Sequence, residues 1–377
     1  MNNNLKNVQI SGIRRFFNEV VKYPSAISLT LGQPDFAVPE AIKNAMINAI
    51  NNNYTNYTAN AGLYELRYEI SKYLSKKNIF YRPEEICLTV GGSEALYSSL
   101  SALLNASDRL LIPSAAYPAY ESIGKILGAN IFEYGLRSDF TLDIDAIKAL
   151  IDKNSTNYLI LSFPSNPTGA ILDKKAVEEL HRLVLDNNII VITDEIYSEL
   201  CYEDYYSIAA YEDIREKIVY IGGFSKMFSM TGLRVGFLCA AKEVFEQILK
   251  VHQYNVSCTN SVAQYGALEG LKHSMEEVEK MKEQFIIRRD FVYKELTSMG
   301  LSSELPKGAF YIFPSIKDFH MSSESFCHKL LKEANVACVP GSAFGRGGEG
   351  HIRISYCYSL EELKKAFDRI NGWINRY

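Results

Sequence analysis

The chain has 377 residues, of which 47% are hydrophobic and 22% are charged, ordinary values for a soluble globular protein. These proportions exclude a disordered tail protein, a collagen-like fibre and a small disulfide scaffold. Lysine and arginine number 40 against 44 aspartates and glutamates, so the formal net charge is −4. Such a weakly acidic chain predicts no nucleic acid and no anionic membrane surface as its partner.

Cysteine usage and hydropathy indicate the compartment. The seven cysteines are scattered and never spaced as Cys-x-x-Cys, which is typical of single buried thiols in a reducing environment. No apolar run approaches the length of a membrane helix, and the amino-terminal residues lack an apolar signal core. These features predict a soluble, cytoplasmic protein without a membrane partner.

Helix and strand patterns alternate through most of the chain. Apolar residues at spacings of three and four predict helices that begin at Pro39 and Gly62 and a third over Lys174 to Leu185. Short apolar runs predict strands at residues 86–90, 109–112, 158–162, 189–193, 218–222 and 235–240. Because these runs lack polar alternation, they fit strands buried on both faces of a mostly parallel sheet. The pattern predicts an α/β fold, a three-layer α/β/α domain with ligand sites at the carboxyl ends of its strands.

The pattern changes after residue 275. A long helix is predicted over residues 276–299, residues 308–313 alternate like a half-exposed strand, and a last helix begins at Leu360. The glycine cluster at residues 345–350 predicts a flexible loop. We expect a smaller α+β domain at residues 269–377, joined by the amino-terminal segment 1–44, beside a large domain at residues 45–268.

A lysine follows one of the predicted strands directly. The tract from Gly222 to Gly236 reads Gly-Gly-Phe-Ser-Lys-Met-Phe-Ser-Met-Thr-Gly-Leu-Arg-Val-Gly. Lysine forms Schiff bases with aldehyde cofactors and needs a lowered pKa to do so, which makes Lys226 a candidate. Ser225 and Arg234 offer a hydroxyl and a guanidinium for a phosphate group. Taken alone, an ordinary surface lysine is an equal alternative.

An acid marks the end of another buried strand. Asp194 and Tyr197 lie in the run Ile-Val-Ile-Thr-Asp-Glu-Ile-Tyr. A carboxylate at this edge of the sheet can hold a protonated pyridine nitrogen, which makes the ring an electron sink. Tyr197 can donate to the phenolic oxygen of such a ring. A helix cap or a surface acid is the alternative for Asp194.

Two further strands run into polar turns. Prolines on both sides of Asn166 predict a tight turn with a cis peptide, from which the Asn166 amide reaches ring oxygen and substrate. The run Gly91-Gly92-Ser93-Glu94 leads a strand into a helix whose first N–H groups form an anion site. This run lacks the Gly-x-Gly-x-x-Gly spacing, which counts against a nicotinamide enzyme.

These four elements, in this order, resemble the class I/II aminotransferases of the aspartate aminotransferase superfamily, which have fold type I and depend on pyridoxal 5′-phosphate (PLP). The resemblance implies that Lys226 is the catalytic Schiff-base lysine and that Asp194 holds the ring nitrogen of PLP in the large domain. It implies that Tyr197 and Asn166 bind the phenolic oxygen. The other implied cofactor-binding residues are Gly92, Ser93, Ser225 and Arg234 at the phosphate, Glu94 beside them, and Tyr117 stacked on the ring.

The same resemblance covers substrate and subunit contacts. Arg353, on an apolar strand where an unpaired charge is costly, resembles the arginine that binds the substrate α-carboxylate. Gly32 would let the chain approach the substrate, which Asn166 also contacts. Tyr57 resembles the tyrosine that reaches the cofactor phosphate of a neighbouring subunit, so the resemblance implies a homodimer with shared active sites. The six histidines form no metal-ligand pattern, so no metal is expected.

The substrate is less well defined by the sequence. Ser93 stands where dicarboxylate-specific relatives have a basic residue, and the loop 254–258 has no arginine or lysine, so aspartate is disfavoured although Arg14 and Arg15 stay unplaced. Four tracts, at residues 11–16, 197–200, 252–258 and 308–317, resemble members that transfer the amino group of N-acetyl-L,L-diaminopimelate to 2-oxoglutarate in lysine biosynthesis. Aromatic aminotransferases share parts of these tracts, and carbon–sulfur β-lyases use the same scaffold. Both alternatives stay open.

Overall fold

The computed structural model describes residues 2–376. Its α-helices are α1 (Gly12–Val20), α2 (Glu40–Asn51), α3 (Tyr64–Ser75), α4 (Gly91–Leu103), α5 (Ala119–Leu127), α6 (Ile144–Lys148), α7 (Lys174–Asp186), α8 (Phe224–Met227), α9 (Lys242–Val256), α10 (Ser261–His273), α11 (Met275–Ser298), α12 (Ser323–Ala334) and α13 (Leu360–Ile374). Its strands are β1 (Ile27–Ser28), β2 (Ile86–Thr89), β3 (Arg109–Pro113), β4 (Asn130–Tyr134), β5 (Asn157–Ser162), β6 (Ile189–Asp194), β7 (Ile218–Gly223), β8 (Gly236–Ala240), β9 (Tyr311–Ile312), β10 (Val336–Ala337), β11 (Val339–Pro340) and β12 (Ile352–Ser355).

The largest sheet within residues 2–376 has seven strands in the order β2-β8-β7-β6-β5-β3-β4. Neighbouring strands from β4 to β7 run parallel, whereas β8 is antiparallel to both β7 and β2. The carboxyl ends of β2, β3, β5, β6 and β7 therefore meet at one edge, where α/β proteins bind their ligands. The predicted α/β fold with a mostly parallel sheet is confirmed.

Both faces of this sheet are buried, as the continuous apolar runs predict. On β5, Tyr158 and Ile160 pack into the core shared with α4 and α5. Leu159 and Leu161 face the opposite core, shared with α3 and α7. Side chains alternate between the faces of a strand, so helices on both sides remove every second residue from water. The result is the predicted α/β/α layering.

A second unit combines both ends of the chain. β9, β11 and β12 form an antiparallel sheet in the order β11-β12-β9. β1, close to the amino terminus, pairs in parallel with β10 through Ile27 and Val336. The predicted divisions at 44/45 and 268/269 fall inside α2 and α10, two helices that pack against each other. The domain boundaries themselves stay a prediction.

One local feature differs from the sequence analysis, and a second adds detail to it. The strand predicted over residues 308–313 is limited to Tyr311–Ile312, because Ala309 adopts a left-handed backbone with φ 55° and interrupts the extended run. The glycine cluster contains a 3₁₀ turn at Arg346–Gly348. The N–H of Gly347 donates to the carbonyl of Ser114 at 2.9 Å, which ties this loop to the end of β3. Within residues 2–376, no helix is long and apolar enough to cross a membrane.

Candidate active site

A cavity of about 440 Å³ opens at the carboxyl edge of the large sheet, a size typical of small-molecule sites. It brings together most of the residues that the sequence analysis singled out. These are Gly32, Gly92, Ser93, Tyr117, Asn166, Asp194, Tyr197, Ser225, Lys226, Arg234 and Arg353. Residues of α1 and of the segment 30–32 also line the cavity, so both units of the fold contribute to its walls.

Lys226 reaches the cavity from α8, the single turn that follows β7. Its Nζ donates to the carbonyl of Gly32 at 2.5 Å. Burial lowers the pKa of Lys226 to about 8, and the guanidinium groups of Arg234 and Arg353 act in the same direction. An amine with this pKa is uncharged far more often at neutral pH than a surface lysine, as a nucleophile or a proton acceptor requires.

Asp194 is the last residue of β6 and lies in register with Ser162 at the end of β5. Its Oδ2 accepts a hydrogen bond from the Tyr120 hydroxyl at 2.8 Å, and its Oδ1 accepts one from the Ile196 N–H at 3.3 Å. Burial raises the pKa of Asp194, while the Tyr120 hydrogen bond and the charge of Lys226 oppose that rise. The carboxylate is thus positioned by a side chain that sequence reasoning did not single out.

Arg353 occupies the centre of β12 and is only 2% exposed. Its Nη1 donates to Asn166 Oδ1 at 2.9 Å, and its Nη2 donates to the Thr30 carbonyl at 2.6 Å. Within residues 2–376 its Nε is buried without a partner, and a buried donor of this kind is costly unless a ligand satisfies it. The side chain is therefore suited to bind a carboxylate. The Phe163–Pro164 and Asn166–Pro167 bonds of the neighbouring turn are both cis.

Tyr311 on β9 links several of these groups. Its hydroxyl lies 2.9 Å from that of Tyr197, and its ring lies 4.4 Å from the Arg353 guanidinium. A Cβ added to Gly32 would come within 2.4 Å of the Tyr311 hydroxyl, so any larger residue there would have to displace the Tyr311 side chain. Burial raises the pKa of Tyr311 to about 12, so its hydroxyl stays protonated. The alternating strand pattern carried no signal that separated Tyr311 from the other tyrosines.

The first turn of α4 and the segment before β8 form a pocket for an anion. Arg234 has a left-handed backbone, with φ 56°, and its Nη1 donates to the Thr231 carbonyl at 2.9 Å. Its guanidinium lies against Gly91, where a Cβ would approach Nη2 to 2.5 Å. Gly236 also packs closely against the start of α4, since a Cβ there would lie 2.7 Å from the Gly91 carbonyl carbon. Guanidinium and helix N–H groups together favour a phosphate.

Two predicted cofactor residues are not among the residues that line the cavity. The buried Glu94 carboxylate accepts from the Val90 N–H and the Ser98 hydroxyl and lies 3.3 Å from His252 Nδ1, behind the first turn of α4. Tyr57 is 88% exposed on the surface of the chain. The roles implied for Glu94 and Tyr57 stay predictions, as do the roles implied for the residues that line the cavity.

A buried amine of lowered pKa, a carboxylate, an anion pocket and an unsatisfied arginine make up the donor set that an aldehyde cofactor with a phosphate group needs. The family profile described as "Aminotransferase class I and II" matches residues 24–370. The chain belongs to this family. It is therefore a PLP-dependent aminotransferase, and the residues around the cavity fit the cofactor.

Relatives of known name share this reaction class and differ in substrate. A probable N-acetyl-LL-diaminopimelate aminotransferase of Bacillus subtilis is 43% identical over 99% of this chain and 95% of its own length. An aspartate aminotransferase of Pyrococcus abyssi is 39% identical over 98% of this chain and 97% of its own. The crystal structure of an aromatic aminotransferase from Pyrococcus horikoshii matches with a TM-score of 0.91 at 38% identity, covering 96% and 99% of the two chains.

Proposed function

We propose that this aminotransferase moves the amino group of N-acetyl-L,L-diaminopimelate to 2-oxoglutarate, as a step of lysine biosynthesis. The observation that supports amino transfer at this site is that Lys226, Asp194 and Arg353 line one cavity. The proposed substrate is supported by the 43% identical relative from Bacillus subtilis and by the four sequence tracts that resemble such enzymes. An aromatic substrate is the second candidate, supported by the structural likeness to the Pyrococcus horikoshii enzyme.

The proposed roles follow from charge and geometry. Arg353 binds the α-carboxylate of the amino acid through its unsatisfied Nε. Asp194, held by Tyr120, keeps a proton on the pyridine nitrogen. The first turn of α4 and Arg234 hold the phosphate, and Ser93 and Ser225 complete this pocket.

PLP, when bound, withdraws electrons from the substrate α-carbon and carries nitrogen between two half-reactions, which gives ping-pong kinetics. Lys226 Nζ accepts the α-proton, because its pKa of about 8 keeps part of the population uncharged near neutral pH. The same Nζ would hold that proton and return it later in the half-reaction. Tyr197 and Asn166 hold the phenolic oxygen and so fix the ring relative to Nζ.

The proposal includes a homodimer in a reducing, cytoplasmic compartment. Tyr57 is 88% exposed, and the Asn60 side chain of the same loop donates to the Ser257 carbonyl at 2.8 Å. Tyr254, three residues before Ser257, is also 88% exposed. Large exposed aromatic side chains on two segments that this contact joins favour a protein interface. All seven cysteines are free thiols, as a reducing compartment requires.

Two experiments test the proposal. Borohydride reduction of the PLP-loaded protein, followed by peptide mapping, should place the modification at Lys226, and a Lys226→Ala variant should lose the visible absorption band and nearly all turnover. Modification at another lysine would refute this assignment.

The second experiment ranks substrates. Values of kcat/KM for N-acetyl-L,L-diaminopimelate, phenylalanine and aspartate, each with 2-oxoglutarate, should be highest for the first. A much faster reaction of phenylalanine would reject the proposed substrate in favour of the aromatic alternative. Release of pyruvate and ammonia from cystathionine at a higher rate than any transfer would instead identify a carbon–sulfur β-lyase.

A further inference from the structure

The amino-terminal helix contributes an arginine to the cavity. Ser11, Arg14 and Phe17, together with Ile13, line it. Residues three or four apart on a helix share one face, so this face of α1 is directed at the cavity. The sequence alone gives no role for Arg14.

The opposite side of α1 fixes the helix in position. Phe16 and Val20 are buried in the core, and Gly12 packs so closely on Ala343 that an added Cβ would lie 2.8 Å from the Ala343 Cβ. Arg15, the neighbour of Arg14, points to α12 and pairs with Glu324 at 3.2 Å. Consecutive residues on a helix point about 100° apart, so the pairing of Arg15 leaves Arg14 directed at the cavity.

Arg14 also differs from the other cations of the cavity in its partners. Lys226, Arg234 and Arg353 each donate to backbone carbonyls. Within the part of the chain that the structure describes, the Arg14 guanidinium makes no hydrogen bond or ion pair with a side chain or carbonyl. The described lining has one acidic side chain, Asp194, which Tyr120 already engages.

We propose that Arg14 binds the distal carboxylate of substrates whose side chain ends in an acid, the class to which 2-oxoglutarate and glutamate belong. The inference rests on the proposed function, in which the other three cations serve the cofactor and the α-carboxylate. Ile13 and Phe17 supply apolar surface for the methylene groups between the two carboxylates. Arginine suits this task because its planar fork matches a carboxylate in two hydrogen bonds.

The test compares two amino acids of similar length in the first half-reaction. Loss of the visible band of the PLP-loaded enzyme is followed in single turnovers with glutamate and with norvaline, which lacks the distal carboxylate. Arg14→Gln should lower the glutamate-to-norvaline ratio of second-order rate constants about tenfold, a modest value because Arg14 is exposed to solvent. The loss should appear in the dissociation constant of glutamate rather than in its maximal rate.

Matched variants separate this role from a structural one. Arg15→Gln removes a neighbouring arginine of the same helix and should leave the ratio unchanged, whereas Arg14→Lys should recover part of it. An unchanged ratio in Arg14→Gln overturns the inference and leaves the proposed function intact. A wild-type enzyme that does not react with glutamate refutes the proposed 2-oxoglutarate partner, and the role of Arg14 with it.

Discussion

Tyr120→Phe isolates the hydrogen bond that positions the Asp194 carboxylate. The substitution keeps the buried ring and removes the hydroxyl that donates to Asp194 Oδ2 at 2.8 Å. Burial raises the pKa of Asp194, and the Tyr120 hydrogen bond is the largest of the effects that oppose this rise. Without that bond the pKa of Asp194 must move further upward.

The size of the shift follows from the strength of the lost bond. A hydrogen bond to a charged group contributes about 1.5–3 kcal/mol, and one pKa unit corresponds to about 1.36 kcal/mol. Loss of the bond therefore disfavours the charged form of Asp194 by about 1.5–3 kcal/mol and raises its pKa further. Since a carboxyl group is charged only above its pKa, the variant should lose the charged form of Asp194, the proposed partner of the ring nitrogen, at a higher pH than the wild type.

The measurement is the dissociation constant of PLP for the unloaded protein as a function of pH. The acid limb of this curve should lie at a higher pH in Tyr120→Phe, while the two proteins converge at high pH. Tyr134→Phe is the matched control, because it removes an equally buried hydroxyl whose bond at 2.8 Å goes to the Ile160 carbonyl. Tyr134→Phe should lower the free energy of unfolding and leave the pH dependence of PLP binding as in the wild type.

Two outcomes would refute this reasoning. If the acid limb of Tyr120→Phe coincides with that of the wild type, the hydrogen bond does not control the charge of Asp194. If Tyr134→Phe moves the limb by the same amount, the effect is a general consequence of losing a buried hydroxyl.

Three further predictions concern other parts of the cavity. Gly236→Ala sets a Cβ 2.7 Å from the backbone of α4, so PLP affinity should fall and the free energy of unfolding should drop by about 1–3 kcal/mol. Gly232→Ala is the control, because a Cβ there meets nothing within 4 Å, and it should change neither quantity. Equal losses of affinity and stability in the two variants would contradict the proposed clash at Gly236. Gly32→Ala should lower kcat/KM because its Cβ meets the Tyr311 hydroxyl. Adding Tyr311→Phe removes that hydroxyl and leaves the nearest ring atom 3.6 Å from the Cβ, so Gly32→Ala should cause no further loss in the Tyr311→Phe background. Losses that add in the double variant would contradict this explanation. In the unloaded protein, modification of Lys226 by an amine reagent should be half-maximal at pH about 8, whereas a midpoint near that of surface lysines would contradict the lowered pKa.

The parts of the fold that the sequence predicts best are those set by local patterns. The strands around Asp194 and Lys226 appear as apolar runs because both faces of the sheet are covered, so nothing interrupts their hydrophobicity. Each of these polar residues stands where such a run ends, and parallel strands end at a shared edge. Arg353 could be recognised by contrast, since a charge within an apolar strand needs a partner.

The rest depends on contacts between segments far apart in the chain. Tyr120 looks like any core tyrosine until β5 and β6 bring Ser162 and Asp194 beside it. Tyr311 acquires its neighbours only when the second unit packs against the sheet. Arg14 and Arg15 are equivalent in sequence, and only the packing of α1 directs one to the cavity and the other to Glu324.

The way the cavity holds its positive charges makes it suited to bind anions. Lys226, Arg234 and Arg353 donate to carbonyl or amide oxygens rather than to carboxylates. The dipoles of these carbonyl and amide groups orient the cationic side chains without neutralising their charge. The repulsion between the cations therefore persists until an anionic ligand binds. A phosphate and a carboxylate that enter the cavity displace no acidic side chain, and their attraction to the cations is expressed as affinity. Because these ligands bind only the folded chain, the same attraction stabilises the fold once they are present.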